Sequence, residues 1–224
     1  HEFRLKISPM YMRMDGLRDG TDHIHVDDIL GMPIDMAGNP TGKYMAAPTD
    51  MDMKMLNVSL GYSFSDRFFA GLMLMYRDND MDMRFSPMMQ TMTGKDGFTM
   101  KSDGIGDTML MTKYRLFADD PLIPTSQASL FLGLSLATGS IDEKNSHHPV
   151  DSRQNELLPY GMQLGTGTFD PSIGLLYQGS SSPWWWGVNT TYTARLYDNK
   201  RDYHLGDELR ADAYAMYQVA PRWL

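Results

Sequence analysis

Along residues 2 to 14 the odd positions Phe3, Leu5, Ile7, Pro9 and Tyr11 are apolar, while the even positions open with Glu2, Arg4, Lys6 and Ser8. A repeat of two is the side-chain period of an extended strand, so this stretch predicts a strand with one apolar face. Residues 54 to 64 repeat it, with Leu56, Val58, Leu60, Tyr62 and Phe64 set against Asn57, Ser59, Gly61 and Ser63. So do 68 to 77, with Phe68, Ala70, Leu72, Leu74 and Tyr76, and 106 to 116, with Thr108, Leu110, Tyr114 and Leu116. Four more strands follow. Leu130 to Leu136 carry the fifth, Phe169 to Tyr177 the sixth, Trp184 to Leu196 the seventh and Leu209 to Val219 the eighth. Helical periodicity is nowhere convincing.

The connections sort by length. Those at Ser65-Asp66, Ala118 to Gln127, Gly179 to Pro183 and Ala220-Pro221 are short or modest; those at 15 to 48, 86 to 98, 138 to 166 and 198 to 207 are mostly long. Short turns at one end, long loops at the other and strands of about ten residues are what an antiparallel transmembrane β-barrel of the bacterial outer membrane requires, because only a closed sheet satisfies its backbone in lipid. The expectation is an all-β single domain over residues 1 to 224, its apolar face toward lipid and its other face toward a lumen. Long loops would be extracellular and short turns periplasmic. A soluble two-sheet sandwich also alternates, but with the apolar face inward. Trp184-Trp185-Trp186 beside Pro183, and Phe68-Phe69 beside Asp66-Arg67, suit an interfacial girdle better than a sandwich edge.

Composition then narrows the classes. A formal net charge of -8 and a pI near 5.1 argue against a nucleic-acid partner, which needs clustered Lys and Arg. Mean hydropathy is -0.39, and no run approaches the roughly 18 apolar residues of a membrane helix. The chain opens at His1 with no basic and apolar leader, which favours a mature exported form. With no cysteine, neither a disulfide framework nor a thiolate metal site is available.

The 21 methionines fall on the same alternation. Met10, Met12 and Met14 continue the polar face of the first strand, and Met51, Met53 and Met55 that of the second. Met73, Met75, Met81 and Met83 share the face of Arg77, Met109 and Met111 lie between Asp107 and Lys113, and Met216 lies with Asp212. The remaining eight, Met32, Met36, Met45, Met88, Met89, Met92, Met100 and Met162, fall in the long loops or at their margins. This predicts a thioether-lined upper lumen on one wall. Such a wall suits packing against an inward loop, an adaptable path for hydrophobic solutes, or a soft metal such as Cu(I). Candidate metal ligands are Met12, Met53, Met75 and Met111, with His23 and His25, or His147 and His148, adding imidazoles from the loops. Asp107, Lys113, Arg115, Arg195, Arg210 and Asp212 are also inward, and read as a mutually neutralising network rather than a proton-transfer site. Asp50, Asp52, Asp80 and Asp82 alternate with Met and so project outward, above the hydrocarbon. There they are solvated, or bound to lipopolysaccharide through divalent cations at the extracellular rim.

"DGIGDTMLMTKYRLF" at 103 to 117, "LFLGLSLATGS" at 130 to 140, "LGTGTFDPSIGLLY" at 164 to 177 and "GDELRADAYAMYQVAP" at 206 to 221 together resemble the outer-membrane transporter family of the phenol meta-degradation pathway. The likeness covers roughly the C-terminal half. It rests on the Gly-Asp turn, the Thr-Gly strand end and the Gly-Thr-Gly-x-x-Asp-Pro stretch. What it implies is passage of hydrophobic, often aromatic, compounds across the outer membrane, with membrane lipid and a small solute as partners and no cofactor. It also implies strands beyond Arg222-Trp223-Leu224, which read as the opening of a ninth, and ten to twelve in all, enough for a narrow pathway. The first half departs from the family through its Met and Asp repeats. No G-x-S-x-G, H-E-x-x-H, Walker or dinucleotide motif supports an enzyme. The reading is a channel or transport barrel for small hydrophobic molecules, with a soft-metal barrel or a plugged structural barrel in an envelope complex as rivals.

Overall fold

The computed structural model describes residues 2–120 and 123–219. Eight strands run antiparallel, each beside its neighbour: β1 (Glu2–Asp15), β4 (Ala46–Ser63), β5 (Phe68–Phe85), β7 (Thr108–Ala118), β8 (Ser126–Leu136), β9 (Asp170–Ser181), β10 (Trp184–Thr193) and β11 (Glu208–Tyr217). The sheet curls into an all-β half-barrel. Among the described residues β1 and β11 are paired on one side only. The turn at Ala220-Pro221 and the strand opening at Arg222-Trp223-Leu224 lie outside the described residues.

The connections alternate as the sequence predicts. Residues 64–67, 119–125 and 182–183 make the short ones, and 16–45, 86–96, 137–169 and 194–207 the long ones. In the first long loop β2 (Leu17–Asp19) and β3 (Asp22–Ile24) form a small hairpin, followed by one helical turn, α1 (Val26–Ile29). In the second, α2 (Pro87–Thr93) starts on a proline at its first turn and stops at Gly94, whose φ of 67° is the left-handed conformation that ends helices.

The structure corrects one expectation. Residues 97–105 are not loop but β6 (Gly97–Ile105), which pairs with β5 from Tyr76 to Arg84, while β7 takes over from Phe68 to Met73. The two partners meet at Gly106, whose N–H donates to the Met75 carbonyl at 2.7 Å. Alternation hid this strand because its outward residues, Thr99, Lys101 and Asp103, are polar and its inward ones, Phe98, Met100 and Ser102, are mixed. β4 and β5 reach Ala46 and Phe85, so the Met and Asp repeats lie in paired sheet.

Two faces follow. On the outer one Leu56, Leu110 and Leu132 are 41%, 42% and 47% exposed. On the inner one Met51, Met53, Leu158 and Met162 form a buried cluster. This is the reverse of a soluble sandwich, whose strand leucines would be the buried set.

Candidate functional site

Register turns the methionine repeats into rows across the inner face. Met14, Met51, Met81 and Met100 are successive partners across β1, β4, β5 and β6; in the next row stand Met12, Met53, Asn79 and Ser102, and in the next Met10, Met55, Arg77 and Gly104. Below them Met75 faces Asn57, Met73 lies between Ser59 and Met109, and Met111 lies between Gly71 and Gly133. Met83 stands between Pro48 and Phe98 at the upper end. These methionines share the inner face of the sheet.

What covers the upper rows is the loop 137–169. Leu158 and Met162, 3% and 0% exposed, seat on Met51 and Met53, with Met55, Met81 and Met100 packed around them. Burying such side chains contributes roughly 1.5–3 kcal/mol each. The seating is also polar: Ser102 Oγ donates to the Met162 carbonyl at 2.6 Å and accepts from Asn79 Nδ2 at 3.1 Å. At the loop's tip His148, 4% exposed, packs edge-to-face against Phe98 at 4.5 Å, beside Phe85. Its Nδ1 accepts the Val150 N–H at 3.0 Å, and burial lowers its pKa. The loop 194–207 braces the plug from above. Asp142 takes Lys200 and Arg201, whose hydrogen bonds hold its carboxyl below the ordinary range, and the Tyr160 and Tyr203 rings lie 4.1 Å apart.

The base of the plug is a network that sequence reasoning marked without assigning it a role. Asp107 accepts from Gly139 N at 2.8 Å, Thr166 N at 2.7 Å and Thr166 Oγ1 at 2.9 Å. Asp170, wholly buried, accepts from Thr168 Oγ1 at 2.7 Å and Thr166 Oγ1 at 3.0 Å, and forms an ion pair with Arg195. Asn199 Nδ2 donates to the Thr166 carbonyl at 2.8 Å. The Gly-Asp turn, the Thr-Gly strand end and the Gly-Thr-Gly-x-x-Asp-Pro stretch are thus three sides of one knot. Glycine is required there by contact: a Cβ on Gly139 would come within 2.7 Å of the Gly165 backbone, and one on Gly165 within 2.6 Å of Asp107 Oδ1.

The inward charges therefore do not form a single network. Asp107 and Arg195 belong to the knot, and Arg210 pairs with Asp212 on β11 at 3.0 Å. Lys113 and Arg115 stand apart at the short-turn end, opposite Phe69, Phe131 and Ser129. The soft-metal candidates do not converge either. Met12 and Met53 are neighbours, Met75 and Met111 stand in other rows, and His23 and His25 lie at the small hairpin, with His23 Nε2 3.1 Å from Arg18. Among the described residues no group of three or more His, Asp or Glu is placed to hold a metal ion. Asp50, Asp52, Asp80 and Asp82 do face outward, where they pair with Arg13, Lys101 and Thr99.

An apolar-coated half-barrel whose long loop is knotted into its own interior is a barrel-wall protein rather than a sandwich. The family described as "Putative MetA-pathway of phenol degradation" matches residues 55–224, and the chain belongs to it. The match takes in about three quarters of the chain, reaching well upstream of the half that the sequence likeness covered. No curated protein matches.

Proposed function

We propose that the protein forms the wall of an outer-membrane β-barrel that passes small, hydrophobic, chiefly aromatic molecules and performs no catalysis. The observation that carries this is the outer belt. From Phe68 to Tyr76 the outward residues of β5 are apolar, nine positions or about 30 Å of strand at roughly 3.3 Å each, which a tilt of 35–45° reduces to about 23 Å, close to the apolar band of such barrels. Above it stand tyrosines that hand their hydroxyls upward to carboxylates: Tyr11 to Asp52, Tyr76 to Asp103 at 3.0 Å and Tyr192 to Asp207 at 2.6 Å. Below it lie Phe64, Phe68, Trp184 and Tyr217, the last two with rings 4.9 Å apart. Aromatic rings at two levels, with a face between them that only Thr112 and Thr190 interrupt, match a hydrocarbon layer. In this reading the free groups of β1 and β11 need strand partners, since lipid offers none. The long loops face outward and the short turns face the periplasm. The methionine rows then line the way beside the plug, thioethers supplying an adaptable surface for flat solutes.

The chain has no cysteine, so single labels report cleanly. Nitroxides at Leu56→Cys, Leu110→Cys and Ile173→Cys in reconstituted protein should collide with oxygen and be shielded from a water-soluble nickel chelate, and labels at Ser59→Cys and Ser135→Cys should do the opposite. Reversed accessibilities overturn the membrane reading. Passage is tested by uptake of benzyl alcohol into lipopolysaccharide-containing vesicles, which should exceed that of protein-free vesicles. A second reading, a closed barrel serving as an envelope anchor, is favoured by the dense seating of Leu158 and Met162. Under it, planar bilayers show no conductance, with or without residues 142–162.

A further inference from the structure

The short-turn end of the interior differs from the rest. A cavity of about 430 Å³ opens there, lined by the cations Arg4, Arg67, Lys113 and Arg115 against a single carboxylate, Asp66, with Phe69 beside them. Arg4 is engaged by Glu2 at 2.9 Å. Among the described residues neither Lys113 nor Arg115 has a carboxylate partner. They stand two residues apart on one face of β7, so both cations project into the same space. In a chain of net charge -8 this is a local excess of positive charge.

The row above is built to take rings. Gly61, Gly71, Met111 and Gly133 are successive partners across four strands. The Phe69 ring lies over Gly61, where a Cβ would fall within 2.1 Å of Cζ, and the Phe131 ring lies over Gly133, with its edge at 3.1 Å. Phe69, in the cavity's lining, and Phe131 thus stand on either side of Lys113 in register, one row below Met111 and beside two unpaired cations. A flat apolar body fits the upper layer, and an anionic end fits the lower. Guanidinium and ammonium together favour a carboxylate, which accepts from both.

We propose that this vestibule is a binding site for aromatic monocarboxylates, with Lys113 and Arg115 holding the carboxylate and Phe69 the ring, Phe131 and Met111 adjoining the cavity in register. The proposal rests on the passage reading for its biological use, but the binding itself does not depend on it. It makes the lumen polarised: an adaptable thioether surface under the plug, and a carboxylate-selecting mouth toward the short turns.

The test compares benzoate with benzyl alcohol, in wild type, in K113Q/R115Q and in the charge-keeping K113R/R115K. In vesicle uptake, the ratio of benzoate to benzyl alcohol should fall by about tenfold in K113Q/R115Q, the scale of one charge-assisted hydrogen bond, and stay near wild type in K113R/R115K. An unchanged ratio in K113Q/R115Q overturns the site. If neither solute enters, the passage reading fails by itself, and fluorine NMR of 4-fluorobenzoate with detergent-solubilised protein decides the site. Line broadening in wild type that is lost in K113Q/R115Q and kept in K113R/R115K supports it. Broadening equal in all three, absent from wild type, or abolished by equimolar chloride overturns it.

Discussion

The two ends of the interior handle charge in opposite ways. At the long-loop end Asp107, Asp170 and Arg195 are drawn together by Thr166 and Thr168, and the loop that carries those threonines fills the space above them. At the short-turn end Lys113 and Arg115 face a cavity whose lining includes one carboxylate, Asp66, and among the described residues neither cation is ion-paired with it. The difference teaches where inner polar groups are structural and where they are left available. The loop 137–169 can deliver backbone N–H groups and hydroxyls to a buried carboxylate; the turn 64–67 brings Asp66 into the cavity's lining without pairing it to either cation.

The contrast can be broken most forcefully at Asp170. Removing one member of a buried ion pair leaves the other charge uncompensated, so Asp170→Ala should cost about 3–5 kcal/mol in urea unfolding of the detergent-solubilised protein. The Asp170→Ala, Arg195→Met double variant should recover most of that, since the penalty lies in the orphaned guanidinium. A double variant as unstable as the single one would show that the carboxylate acts through its threonines instead. At the other end K113Q/R115Q should leave the unfolding transition within the scatter of ordinary surface changes.

Next in size is the plug's thioether seat. Met162→Ala removes a wholly buried side chain, and about 2–5 kcal/mol should be lost, with residues 138–166 exchanging amide hydrogens faster. Met12→Ala, on an edge strand and 40% exposed, should change stability by less than about 0.5 kcal/mol. Comparable losses at both positions would mean that the whole methionine wall, not only its covered rows, is packed.

Met12 and its register partner Met53 mark how far the sequence could be read. Strand alternation put Met12 and Met53 on one face, because period two is imposed by the backbone and survives any environment. It could not say that Met53 is buried and Met12 is not, since that depends on where Leu158 and Met162 come to rest, more than a hundred residues later in the chain. The Gly-Thr-Gly-x-x-Asp-Pro stretch was legible as a motif, but its role as carboxylate knot was not, because its partners Asp107, Gly139 and Asn199 arrive from three other segments. β6 escaped notice for a local reason: where a strand rises above the apolar belt and is covered inside by a polar-edged plug, neither face keeps a hydrophobic signal.

His148 gives a smaller and conditional effect. Burial depresses its pKa, so the folded state disfavours the proton that the unfolded chain accepts near pH 6.5. Its contribution is therefore complete above that pH and declines as the pH falls from about 6.5 toward the depressed folded value. Protonation also replaces the Nδ1 acceptor of the Val150 N–H with a donor. Limited proteolysis of the loop should accelerate on acidification over that window, and His148→Phe, which can stack in the same aromatic cluster, should flatten the response. A response that persists in the variant assigns it to another group.

The smallest effect belongs to the charged rim above the outer belt, and it tests whether the contrast is about partners or about burial. Lys101 lies 2.9 Å from Asp80, with Asp78 and Asp82 nearby, so by distance alone it is as well paired as any group in the knot. Hydrogen bonding and the surrounding carboxylates raise its pKa, which means that whatever it contributes is present at neutral pH and is lost as the pH climbs through the raised value. Yet its side chain is half exposed, and solvent and salt screen the pair. Lys101→Gln should therefore leave the melting transition almost where it was, and any small difference should vanish in about 1 M salt, where the Debye length shrinks to about 3 Å. If Lys101→Gln instead destabilised the protein as much as Asp170→Ala, geometry rather than desolvation would govern these ion pairs, and the knot at the plug's base would lose its special standing.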